Sequence, residues 1–266
     1  MTVLSQRMRV AVQAALIHFF GSVLVACLAA ALVFLVWYPH PYGLLSGGRN
    51  LFLILVCVDV VCGPLLTLVL FNPQKPRREL TTDMGLVVVI QLSALIFGLH
   101  TAYEARPLFL VHEVDRFRVV TMTDYGDVDV HEPLAALPEP LQPHWLKGPV
   151  AVGIRAPKDE NERREVMLDA VSGGRDYAQR PDFYIPYGTA TDQPRILARA
   201  KPLQGFITHN PATADAAADV LAKHGVALED ALFLPVLHRQ EWVAVLDKSA
   251  RILGFLPGDG FGAGNN

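Results

Sequence analysis

The chain has 266 residues, 52% of them hydrophobic, and a formal net charge of −3. Its mean hydropathy of +0.30 is high for a soluble protein. A net acidic chain without a basic run carries no electrostatic footprint for nucleic acid, and the three cysteines (Cys27, Cys57, Cys62) all lie in the apolar first part, which excludes a disulfide framework for the remainder.

Three long apolar runs occupy the beginning: Val10–Tyr38, Leu51–Phe71 and Met84–Tyr103. Each reaches the ~20 residues that cross a ~30 Å hydrocarbon core. No comparable run follows Tyr103. The pattern predicts a three-helix membrane anchor over 1–103, an α+β domain over 104–257 and a flexible tail over 258–266. Lys and Arg near the helix ends set the orientation. Arg7 and Arg9 precede the first run, and Lys75, Arg77 and Arg78 sit between the second and third, whereas the first connection has only Arg49. The N-terminus and second connection are therefore expected in the cytoplasm. The first connection and the C-terminal domain lie outside, in the periplasm if the membrane is a bacterial inner membrane. Residues 1–103 hold 6 basic and 3 acidic side chains against 17 and 23 in the rest, so the exported part is net −6.

Leu24-Val25-Ala26-Cys27 has the form of a lipoprotein cleavage box. Apolar sequence continues through Ala29–Tyr38, where a lipoprotein has a polar tether, so an uncleaved helix is expected. Cys57 and Cys62 are five apart, which is not the spacing of a CxxC redox pair. The first helix ends in WYPHPY. Trp37, Tyr38 and Tyr42 suit the headgroup level, and Pro39 and Pro41 stop the helix.

The second run carries Asp59 followed by Gly63-Pro64. A carboxylate at a helix centre costs roughly 2.5–3.5 kcal/mol on insertion scales. At ~1.5 Å per residue, Asp59 lies about 12 Å below the outer edge, with Ser22 and Ser93 as nearest polar side chains and no cation at its level. Pro64 frees the carbonyl of Val60, which leaves an acceptor-rich notch beside the acid. Two readings stand. Asp59 is protonated and bonded to Ser93 or a backbone carbonyl, or the notch receives a cation, a proton or an amino group of another protein. His18, Thr67 and Gln91 lie nearer the cytoplasm and are expected to bond to one another across the bundle.

Beyond Pro107, LFLVHEV and FRVVTMT form two strands about Asp115-Arg116, and a five-proline loop covers His131–Pro149. VAVGIRA is a strand. DENERREVMLDAVSGG is a helix capped by Asp159, with Val166, Leu168 and Val171 as its apolar face, and PATADAAADVLAKHG is a helix ended by Gly225. Three consecutive strands, LFLPVLH, EWVAVLD and ARILGFL, precede the tail GDGFGAGNN. Helices are too few for a wound parallel sheet. GxSxG, Walker A, HExxH and GxGxxG are all absent, and the six histidines (His112, His131, His144, His209, His224, His238) lack metal-ligand spacing. No catalytic residue, metal or cofactor is expected, and Cys-free sequence from Pro107 to Pro257 is expected to fold alone.

WYPHPY, GGRNLFLILVCVDVVCGPLLTLVLFNPQKPR and EARPLFLVHEVDRFRVV together resemble the type IV pilin accessory family (the TfpX/TfpZ group). The likeness continues more weakly through LKGPVAVGIRAP, RPDFYIPY and WVAVLDKSARILGFLP. It implies a non-enzymatic inner-membrane protein assisting pilin stability, pilus assembly or pilus dynamics. Its partners would be a type IV pilin, major or minor, and membrane lipid, with other pilus assembly proteins as further candidates. A chaperone for a membrane-stored pilin needs helices for the pilin's buried helix and a periplasmic domain for its head, and this chain is expected to have both. The alternative is a membrane sensor or proton-coupled transport component using Asp59, for which three helices make a thin path.

Overall fold

The computed structural model describes residues 3–46 and 48–262, and the chain divides into two compact units. The first comprises Met1–His40 and Gly47–Glu104, and the second Pro41–Ser46 and Ala105–Asn266.

In the first unit, α1 (Val3–Ala31) widens into a π-helical turn over Leu32–Trp37, closed by the Tyr38 N–H on the Val33 carbonyl (2.8 Å). Pro39 and Pro41 then prevent further helix. A one-turn helix α2 (Tyr42–Leu45) follows, and belongs to the second unit. Helices α3 (Gly48–Leu70) and α4 (Arg77–Glu104) complete the bundle. The segments Arg7–Trp37, Phe52–Leu70 and Arg77–Glu104 are each long and apolar enough to cross a membrane. Helix α4 starts seven residues before its apolar run does. Pro76 sets the first turn, and Lys75 Nζ pairs with Asp83 of the second turn at 2.6 Å.

The second unit is a mixed α/β domain. Strands β1 (Pro107–His112) and β2 (Phe117–Thr121) make the expected hairpin, closed by the Glu113 N–H on the Arg116 carbonyl (2.9 Å). After α5 (His131–Ala135), β3 (Val150–Ile154) adds parallel to β1. Helix α6 (Glu160–Val171) is capped by Asp159, whose carboxylate accepts from the Asn161 and Glu162 amides at 2.9 Å each. Next come β4 (Tyr184–Pro186), α7 (Gln193–Leu197), β5 (Lys201–Pro202), α8 (Leu203–His209) and α9 (Ala214–His224), the last stopped by Gly225 at φ 64°. Strands β6 (Leu232–Leu237), β7 (Trp242–Leu246) and β8 (Ile252–Pro257) close the chain as an antiparallel meander. The strand order is β4-β3-β1-β2-β6-β7-β8, with β5 paired to β6. The two hairpin systems are joined where β2 runs parallel to β6 at Phe117↔Val236 and Arg118↔Leu237.

Alternation along the strands splits the core between the two sheet faces. Phe109, Val111 and Val120 face a cluster with Leu134, Val152, Val166 and Phe183, while Val243, Val245 and Phe233 face α8 and α9 through Phe206 and Leu221. The opposite face gathers Leu110, Phe117, Val119, Leu234, Trp242 and Leu246 beneath Tyr42, Leu45 and Ile196. Helix α2 is thus core of the globular unit. Leu45 is 0% exposed, Tyr42 packs edge-on to Phe255 at 5.8 Å, and Ser46 Oγ lies 3.1 Å from His238 Nε2.

One sequence expectation needs correction. Of the proposed α6 face, Val166 is buried but Leu168 and Val171 are 58% and 82% exposed. At 100° per residue, position 168 points almost opposite to 166, so the three never shared a face. The tail expected over 258–266 is described as far as Gly262, with Gly260 buried and Phe261 and Gly262 exposed. The Gly258 N–H donates to Glu241 O (2.9 Å), Gly260 is pressed against Val243, and Phe261 lies under the Arg116 guanidinium at 4.8 Å. Residues 263–266 of that tail lie outside the described residues.

Candidate partner-binding site

In the first unit, Asp59, Gly63 and Thr67 recur at i, i+4 and i+8 on α3, which places them on one face with Pro64 alongside. Gly63, Pro64 and Thr67 are buried between the helices, whereas Asp59 and Val60 are half-buried. The notch is filled from within. The Gln91 carboxamide from α4 lies against Gly63 so closely that an added Cβ would sit 2.3 Å from its Cδ. Its Nε2 donates to the Asp59 carbonyl oxygen at 2.9 Å and approaches Ser22 Oγ of α1 at 3.4 Å. A side chain at position 63 would displace the amide that joins the three helices.

The expected trio of His18, Thr67 and Gln91 therefore divides. His18 Nδ1 lies 2.6 Å from Thr67 Oγ1, and Gln91 joins Asp59 instead. Ser93 lies on the exposed face of α4. Together these residues form one polar seam, with α1 supplying His18 and Ser22, α3 Asp59 and Thr67, and α4 Gln91. In a low-dielectric surround such side-chain bonds fix how helices pack.

The aromatic residues of WYPHPY also face protein. Trp37 is 6% exposed and meets Tyr103 edge-on at 5.3 Å, while the Tyr38 hydroxyl donates to the Ala102 carbonyl at 2.9 Å. They tie the end of α1 to the end of α4. Tyr42 lies in the globular core, where burial raises its phenol well above the ordinary value. Composition alone could not distinguish these roles, because an amphipathic ring suits a headgroup layer and a protein core equally. The three cysteines are free and exposed on the helices.

In the globular unit, His112 and Asp192 meet as a buried pair 80 residues apart. His112 Nδ1 lies 3.2 Å from Asp192 Oδ1, with side chains 2% and 0% exposed. Gly153 opens the space for this carboxylate, and the Gly188 N–H also donates to it at 3.2 Å. His112 Nε2 has no hydrogen-bond partner among the described residues. No sequence signal marks the pair, since it depends on a tertiary contact between β1 and the turn before α7. Among the described residues no three of His, Cys, Asp or Glu assemble to hold a metal ion.

Three helices long and apolar enough to cross a membrane, followed by a mixed sheet domain, are consistent with a membrane-associated class of protein. The comparisons with known proteins say which. The family model described as "Fimbrial assembly protein FimB" matches residues 6–47. Over 259 residues the chain is 39% identical to the fimbrial assembly protein of serogroup I of Dichelobacter nodosus, covering 96% of this chain and 98% of that protein. The serogroup E1 protein of the same organism is 38% identical over the same shares. That of serogroups C1 and C2 is 45% identical over 119 residues, which is 45% of this chain and 91% of the relative. No solved structure matches. The chain belongs to the FimB family of fimbrial assembly proteins, a type IV pilus accessory family.

Proposed function

We propose that this protein is a non-enzymatic, chaperone-like accessory of pilus biogenesis that assists pilin stability, pilus assembly or pilus dynamics. The observation that carries the reading is the match to fimbrial assembly proteins along 96% of the chain, through both units rather than one. The bundle contacts the membrane helix of a type IV pilin and the globular domain contacts its head. Lys and Arg near the helix ends support an inner-membrane protein with a cytoplasmic N-terminus and a periplasmic globular domain.

Within the bundle, Asp59 is the residue for pilin contact. Gly63 and Pro64 support it from inside, since Gln91 already occupies their notch. The half-exposed Asp59 carboxyl remains available to accept a hydrogen bond or pair with a pilin cation. A proton-coupled role for Asp59 would not require likeness to assembly proteins in the globular domain, and that likeness favours the pilus reading.

Co-purification of pilin with the full chain tests this. Asp59→Asn keeps the shape and removes the charge, so it should reduce captured pilin while the protein stays inserted and abundant. Unchanged capture by a stable Asp59→Leu variant would contradict the site. For orientation, in a background without the native cysteines, an impermeant thiol reagent should label a cysteine at Asp182 and not one at Arg77. The reverse pattern would overturn the topology.

A further inference from the structure

The globular unit contains a cleft of about 540 Å³ that the pilus reading does not use. It opens where the parallel strands β1 and β3 end, the position at which open sheets place ligand sites. Five arginines line it, Arg116, Arg118, Arg155, Arg163 and Arg195, against three acids. Glu162 and Glu160, just outside the lining, pair with two of the arginines, so what matters is which guanidinium groups remain open on a part of the chain that is net −6.

The five arginines differ in how far they are committed. Glu162 grips Arg155 with two bonds of 2.9 Å, and Arg116 bonds its neighbour Asp115 at 2.7 Å. Arg163 pairs with Glu160 at 3.3 Å on the exposed side of α6. Arg118 stands 3.7 Å from Glu113, beyond hydrogen-bond distance, and burial pushes that carboxyl upward against the pull of Arg118. Arg195 is anchored through Nη1 on the Ile154 carbonyl at 2.7 Å and has no ion pair among the described residues. A guanidinium carries five N–H donors in a rigid fork, so an Arg held at one corner is oriented and still open to an anion.

The lining selects among anions. Phosphate sites draw on free amides at a helix N-terminus. Here the first turn of α6 is already satisfied by Asp159, and Lys158 N–H is taken by Glu162 at 2.5 Å. A doubly charged phosphate would also face the three acids of the lining. A single carboxylate within a chain that carries polar groups of both kinds fits mixed walls better.

We propose that this cleft binds a carboxylate-bearing peptide segment, with Arg195 and Arg118 as the receiving cations. The carboxylate comes from an acidic side chain or from a chain terminus, which present the same two oxygens. Fluorescence anisotropy on the full chain in detergent, at low salt, tests the assignment with two dye-labelled probes: an end-capped alanine peptide with one central glutamate, and an alanine peptide with a free C-terminal carboxylate. One of them should bind, and which one identifies the source. Arg195→Ala should weaken it about tenfold or more, the loss expected for a charge-assisted bond. Arg163→Glu should weaken it too, on a surface helix where folding is not at risk. Arg239→Ala, outside the cleft, should change nothing, and inorganic phosphate at equal concentration should not displace the probe. Failure of both probes to bind, unchanged affinity in Arg195→Ala and Arg163→Glu, or displacement by phosphate would each overturn it.

Discussion

The two connections between the apolar helices behave as opposites. The link from α3 to α4 is short and polar and satisfies itself locally, through Lys75 N–H to Asn72 O at 3.1 Å and the Lys75–Asp83 pair. The link from α1 to α3 carries Tyr42 and Leu45 into the core of the globular unit, under β1, β6 and β7. The first is a turn and the second is a structural part of another domain. The chain consequently passes between the two units three times, and the globular domain is discontinuous in sequence.

The largest test of that contrast is deletion. A fragment starting at Ala105 lacks Tyr42 and Leu45, and losing two core side chains of this size costs about 4 kcal/mol or more, a large share of the roughly 5–15 kcal/mol that holds a domain. Thermal melting should show a midpoint roughly 8–16 °C below that of a fusion carrying Pro41–Ser46 ahead of Ala105. Equal midpoints would support the expectation that residues from Pro107 fold alone.

A point change comes next. Leu45→Ala in the full chain should destabilise the globular unit by about 2–5 kcal/mol, read by pulse proteolysis of sites beyond Ala105. A smaller effect separates tertiary burial from surface pairing within the globular unit. The Arg155 guanidinium and the Lys158 amide hold the Glu162 carboxyl at about 2, below its ordinary 4.5. Because the folded value is the lower one, this stabilisation is complete above 4.5 and fades as pH falls towards 2. Glu162→Gln should therefore narrow the stability difference between pH 6 and pH 2, measured by denaturant midpoints. Smallest of all, Lys75→Ala should move stability by less than about 1 kcal/mol, as exposed ion pairs do. A larger loss would mean that the short link also does tertiary work.

What the sequence made legible follows the range of the forces involved. The membrane-length helices, the β1–β2 hairpin, the Asp159 cap and the Gly225 stop rest on neighbours within a few residues, and they were readable. The burial of α2 was not, because one helical turn has too few residues for a period, and its fate depends on Leu110 and Phe255 far along the chain. Gln91 was assigned to the wrong neighbours for a similar reason. Depth along a helix was countable, but the facing of α4 that brings its amide onto Gly63 was not. His112 and Asp192 left no local trace at all, and neither did the β2–β6 pairing that joins the two halves of the sheet.

Hydrogen exchange of the full chain, resolved to short peptides, measures the contrast directly. The amides of Leu44, Leu45 and Ser46 bond to the Pro41 and Tyr42 carbonyls at 2.9–3.0 Å against the core of the globular unit. They should exchange as slowly as those of β6 and β7, and far more slowly than Gln74 and Lys75 in the other link. Exchange of residues 42–46 at the rate of Gln74 and Lys75 would contradict the account, because the first connection would then be a loop like its counterpart.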